Sequence, residues 1–169
     1  MRSTSNLILV AAVAALTLAA CGKSPGERAA EAAIEQATGN KATVDADGNA
    51  VTIKTEDGEM KMSGGDAAKL PATYPKDVYQ PAGAKVESVM EMPGTMVVQF
   101  DAAGDIPALA EASGKMMATQ GWKQQLSMQQ SADQQVTMYE KDKRSATISL
   151  VDDEAKGVKV NVQVVESKQ

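Results

Sequence analysis

Apolar and polar residues alternate along most of the chain beyond residue 40, and the alternation predicts strands. Val44 and Ala46, Val51 and Ile53, and Met60 and Met62 fall on common parities, separated by Asp47-Gly48 and Asp57-Gly58. Both dipeptides favour hairpin turns because glycine supplies the positive φ such turns need. A three-stranded meander over 41–63 follows. From Lys85 the pattern is denser. Val86, Ser88 and Met90, then Met96, Val98 and Phe100, predict two strands around Pro93-Gly94. Asp105 can cap a helix with an apolar face of Ile106, Leu109, Ala110, Ser113, Met116 and Met117, which Gly121 ends. Four further strands carry Trp122/Leu126/Met128, Val136/Met138, Ala146/Ile148/Leu150 and Val158/Val160/Val162/Val164.

The expected fold is therefore α+β. A short N-terminal helix precedes the β-meander, and an antiparallel sheet of ββαββββ order follows, with one amphipathic helix packed on one face. The outer face, carrying Lys, Gln, Glu and Thr, is expected to be wet. Ahead of the meander, "SPGERAAEAAIEQATG" predicts that helix. Ser24 and Glu27 can form a capping box, Pro25 suits the first turn, and Gly39 stops it. Between meander and sheet, "SGGDAAKLPATYPKDVYQPAGAK" holds three of six prolines and shows little period. It is expected to cross over as an extended segment. The expected organisation is 1–20 signal peptide, 21–40 tether and short helix, 41–63 meander, 64–84 crossover and 85–169 α+β domain.

Composition narrows the chemistry. The 169 residues contain no histidine, one cysteine and 3% aromatics. Without histidine there is no imidazole general base and no Ser-His or Cys-His pair, and the usual zinc, haem and iron–sulfur sites lack their ligands. The net charge of −5, with no visible Lys/Arg patch, argues against nucleic acid. No cofactor and no enzymatic reaction are expected.

The N-terminus points to a place. After Arg2, Leu7–Leu18 is apolar. As a helix it would span roughly 18 Å, short of a ~30 Å hydrocarbon core, so it suits a signal peptide rather than a permanent span. It closes on Leu18-Ala19-Ala20-Cys21, which resembles the lipobox of bacterial lipoproteins. The resemblance implies cleavage before Cys21, a diacylglyceryl group on its sulfur, and often an acylated amine carrying a chain such as palmitate. Two or three chains give stable anchoring where one gives marginal binding. Gly22, rather than Asp, favours the outer membrane facing the periplasm. Further along, "TIKTEDGEMKM", "KLPATYPKDVYQPAGAKV" and the helix ending "GW" resemble a loose group of small bacterial lipoproteins and secreted proteins. That likeness implies fold and location, with no catalytic residue to carry over.

The implied function is a lipid-anchored binding module of the cell envelope. Its membrane partner is met through the lipid, and its other partner is an envelope protein or an apolar ligand. An assembly accessory that docks through helix 25–38 is the alternative, and a weak calcium or Cu(I) binder a further one. Calcium enters because Asp45, Asp47, Asn49 and Glu56 match positions 1, 3, 5 and 12 of an EF-hand loop. Ala50, however, stands where that loop needs glycine, and a hairpin at Asp47-Gly48 would carry Glu56 to the far end of its strand. Cu(I) enters through paired methionines, Met60/Met62 and Met90/Met92, although their spacing predicts core-facing strand positions. Tyr74 and Tyr79, in the long crossover, are candidates for a ligand or partner surface.

Overall fold

The structure, a computed structural model, describes residues 23–153 and 157–167. Nine strands form: β1 (Lys41–Val44), β2 (Ala50–Thr55), β3 (Gly58–Gly64), β4 (Lys85–Met92), β5 (Thr95–Ala102), β6 (Lys123–Ser131), β7 (Gln134–Lys141), β8 (Arg144–Asp153) and β9 (Gly157–Glu166). Two α-helices accompany them, α1 (Pro25–Thr38) and α2 (Ile106–Thr119). All the strands join one sheet in the order β1-β2-β3-β4-β5-β9-β8-β7-β6. Every neighbouring pair is antiparallel.

The order explains where α2 must lie. The chain leaves β5, crosses the sheet as α2, enters β6 at the far edge, and returns through β7 and β8 until β9 closes against β5. Asp105 caps α2 by accepting from the Ala108 N–H at 2.8 Å. The helix buries Ile106, Leu109, Ser113 and Met117. On the same face of the sheet lie Ala146, Ile148 and Leu150 on β8 and Val158, Val160, Val162 and Val164 on β9, all within 4% exposure. Each such side chain withdrawn from water contributes about 1.5–3 kcal/mol, so this one face supplies most of the core.

The crossover covers the rest of the same face. Prolines 71, 75 and 81 each open a turn, accepting from the N–H groups of Tyr74, Val78 and Ala84. Each proline also fixes its own φ and stiffens the segment, and Tyr74, Val78 and Tyr79 are buried in the core with Val89 of β4 and Phe100 of β5. Tyr74 meets Phe100 edge to face, with centroids 6.3 Å apart.

A second, smaller arrangement closes the opposite end. α1 runs along β1, and two of its glutamates take N–H groups on the strand's free edge. Glu31 accepts from Val44 at 2.8 Å and Glu35 from Ala42 at 3.2 Å. An unpaired edge templates aggregation, and these carboxylates occupy its donors. The meander is continuous with the larger sheet, because β3 pairs with β4 from Lys61↔Glu91 to Gly64↔Ser88.

Candidate functional site

Directly opposed residues of an antiparallel pair share a face. One row of register partners therefore crosses all nine strands: Val44, Val51, Met62, Met90, Val97, Gln163, Thr147, Met138 and Leu126. This is the face opposite α2 and the crossover. It departs from the uniformly wet outer face that the sequence pattern suggests. Polar Gln163 and Thr147 occupy the centre of the row, with apolar groups towards both ends. On the β6–β7 side, Leu126 opposes Met138 and Met128 opposes Val136.

Two expectations about orientation are corrected here. Met60/Met62 and Met90/Met92 have core-like spacing, yet they stand half-buried on this second face, outside the main core cluster. Leu126 and Met128 do not follow Trp122 inward either. A register shift between Gln124 and Leu126 re-phases β6 and turns Leu126 and Met128 to the second face, and every residue of this edge strand is exposed. Trp122, just before the strand, is buried at 3% exposure.

The crossover tyrosines are structural in their contacts. Tyr74 is 7% and Tyr79 5% exposed. The Tyr74 hydroxyl donates to the Tyr79 carbonyl at 2.5 Å, and burial pushes both phenols above their ordinary titration range. Tyr74 nevertheless forms part of the floor of an open groove of about 320 Å³ between the crossover and Met116 of α2.

Between these tyrosines the chain carries a forked ion-pair cluster. The Asp77 carboxylate accepts from Arg144 at 3.0 and 2.6 Å and from Lys141 at 2.6 Å. The Arg144 guanidinium also lies 5.0 Å from the centre of the Trp122 ring. Trp122 Nε1 in turn donates to the Asp77 carbonyl at 2.7 Å. Arg144 and then Lys141 hold the Asp77 carboxyl well below the usual range, against the opposing effect of burial. The loop, the tryptophan and the β7–β8 turn are thus fastened together. Sequence reasoning singled out the tyrosines and passed over Asp77, because its partners are 64 and 67 residues away.

The calcium-like residues are placed apart. Asp45 Oδ1 accepts from the Ala50 N–H at 2.8 Å, and the Gly48 N–H bonds the Asp45 carbonyl, so Asp45, Asp47 and Asn49 lie in or beside the β1–β2 turn. Glu56 lies in the next turn, beyond the Thr55↔Gly58 pair at the other end of β2. At ~3.3 Å per residue, a six-residue strand separates it from the others by far more than a coordination bond. Among the described residues, no group of three or more acidic or cysteine side chains is placed to hold a metal ion. Cys21 lies outside the described residues, as does the apolar stretch before it. No described helix is long and apolar enough to cross a membrane.

Comparison with protein-family models, with curated proteins and with solved structures finds no match to this chain.

Proposed function

We propose that this chain is a lipid-anchored binding module of the bacterial cell envelope. Acylated Cys21 holds it at the outer membrane facing the periplasm, and the exposed β6–β8 part of the face opposite α2 meets its partner. The observation that carries the binding half is the distribution of exposed apolar groups. Leu126, Met128, Met138 and Val151 are 38–45% exposed, and the register puts all four on the face opposite α2 and the crossover. Apolar side chains concentrated on one face, next to polar Thr147 and Ser149, suit a protein–protein surface. The anchoring half rests on Leu18-Ala19-Ala20-Cys21 and on Cys21 being the sole cysteine. The finer arrangement belongs to the same reading: α1 and the meander stand between the lipid and a ββαββββ unit. No reaction is assigned to the fold.

The experiment is site-specific photo-crosslinking in bacterial cells making the full chain. A crosslinker at position 126 or 138 is expected to give one discrete adduct. One at Glu111, on the exposed side of α2, is expected to give none. Equal labelling from all three positions, or none from 126 and 138, contradicts the assignment of this face.

A further inference from the structure

Four methionines are grouped where β3 lies beside β4, on the face opposite α2 and the crossover. Met62 and Met90 are direct register partners. Met60 and Met92 follow two residues along their strands, and they line one groove of about 280 Å³ with Thr55, Asp57 and Pro93. Opposed residues set their Cβ atoms about 4.5–5.5 Å apart, and the next pair on the same face lies ~6.6 Å along. Methionine has three rotatable bonds and spans such gaps. Met60 opposes the buried Ile53 on β2, and all four lie outside the main core. The methionine that fills the core is Met117, at 0% exposure, with Met96 and Met116 packed against the same cluster. The four on β3 and β4 remain half-buried beyond it.

The surroundings select among ligands. On the same face the neighbouring register partners are Val51 and Ile53 on β2 and Val97 and Thr95 on β5. That is no oxygen cage for a hard cation. Asp57, at the rim of the groove, supplies a negative charge beside otherwise neutral ligands. We propose that Met60, Met62, Met90 and Met92 form a site for a soft monovalent cation, Cu(I) or its redox-inert surrogate Ag(I). Thioether sulfur is the soft donor that prefers such ions. It also carries no proton to lose, so the site holds its ion at pH 5, where imidazole ligands would begin to release theirs. The site is separate from the Leu126–Met138 patch, so its failure leaves the partner-binding face standing.

The test is titration of the full chain with Ag(I), read by native mass spectrometry and calorimetry, in a Cys21→Ala background that removes the only thiol. One Ag(I) per chain is expected, persisting at pH 5. Met62→Leu/Met90→Leu conserves volume and is expected to weaken binding at least tenfold. Met60→Leu/Met92→Leu must weaken it at least tenfold too, which keeps the test standing if one pair proves to disturb the fold. Met128→Leu/Met138→Leu, on the other side of the same face, must leave affinity unchanged. Absence of Ag(I) binding, a smaller loss in the β3–β4 variants, or an equal loss in the Met128/Met138 variant overturns the site.

Discussion

Asp77 in the crossover and Arg144 at the start of β8 are joined by two hydrogen bonds, at 3.0 and 2.6 Å, across 67 residues of sequence. This forked contact fastens a proline-directed loop to a strand edge, and it works through Trp122, which bonds the Asp77 carbonyl and lies against the guanidinium. Asp77→Asn keeps the shape and removes the charge. It is expected to cost about 1.5–3 kcal/mol, the value of hydrogen bonds to a charged group. Urea unfolding followed by the fluorescence of the single tryptophan measures it.

The same pair sets an acid dependence. Because the folded-state pKa of Asp77 is depressed, the folded state favours the ionised carboxylate. Its contribution is fully present above the unfolded aspartate value, about 3.9, and is lost progressively as pH falls below it. Wild type is therefore expected to lose stability more steeply than Asp77→Asn between about pH 4 and pH 2. Parallel stability–pH curves for the two proteins would show that the pair contributes nothing there.

Glu31 and Glu35 are expected to protect the free edge of β1. Replacing both by Ala removes the acceptors of the Val44 and Ala42 N–H groups. Hydrogen exchange at those two amides should quicken by about tenfold, while the amides of β9, at the centre of the sheet, stay protected. Lys23 and the Val44 N–H lower the Glu31 pKa. The protection that Glu31 gives Val44 is thus fully present above the ordinary glutamate range and is lost only as pH falls below it.

Two glycines separate turn geometry from crowding. Gly157 has φ +103°, and a Cβ there would stand 2.6 Å from the Ala102 carbonyl oxygen. Gly48 has φ +71° with open space around it. Gly48→Ala should cost about 1–2 kcal/mol for the left-handed backbone alone. Gly157→Ala should cost more, about 3 kcal/mol or above, because backbone must also move. Thermal denaturation of the two variants gives the order.

Leu126→Lys and Met138→Lys should separate binding from stability. Both side chains are already over 40% exposed, so each change is expected to stay within about 0.5 kcal/mol. Ile148→Ala, in the fully covered core of β8, should cost about 2–5 kcal/mol. Lysine substitutions that unfold the protein would mean that this face is packed internally.

The sequence made an antiparallel sheet with helices legible because most strands alternate in register with their neighbours, and because Asp-Gly turns separate the early ones. It could not show which face the methionine pairs occupy. Period two gives parity, and parity becomes a face only once β3 is known to pair with β4. The β6 residues misled for a related reason: the register shift after Gln124 breaks the parity that would carry Leu126 inward with Trp122. The crossover residues were noticed for their tyrosines, while the charge that fastens the segment is Asp77. Its partners became visible only in three dimensions.

The proposed envelope role depends on the lipid at Cys21, since a binding face without an anchor would belong to a different kind of protein. Intact mass spectrometry of the protein extracted with detergent from bacterial membranes tests it most directly. The expected species is a mature chain beginning at Cys21 that carries the added mass of a diacylglyceryl group, with or without a further amide-linked acyl chain. A chain recovered with Cys21 unmodified, or cleaved at another residue, would contradict it.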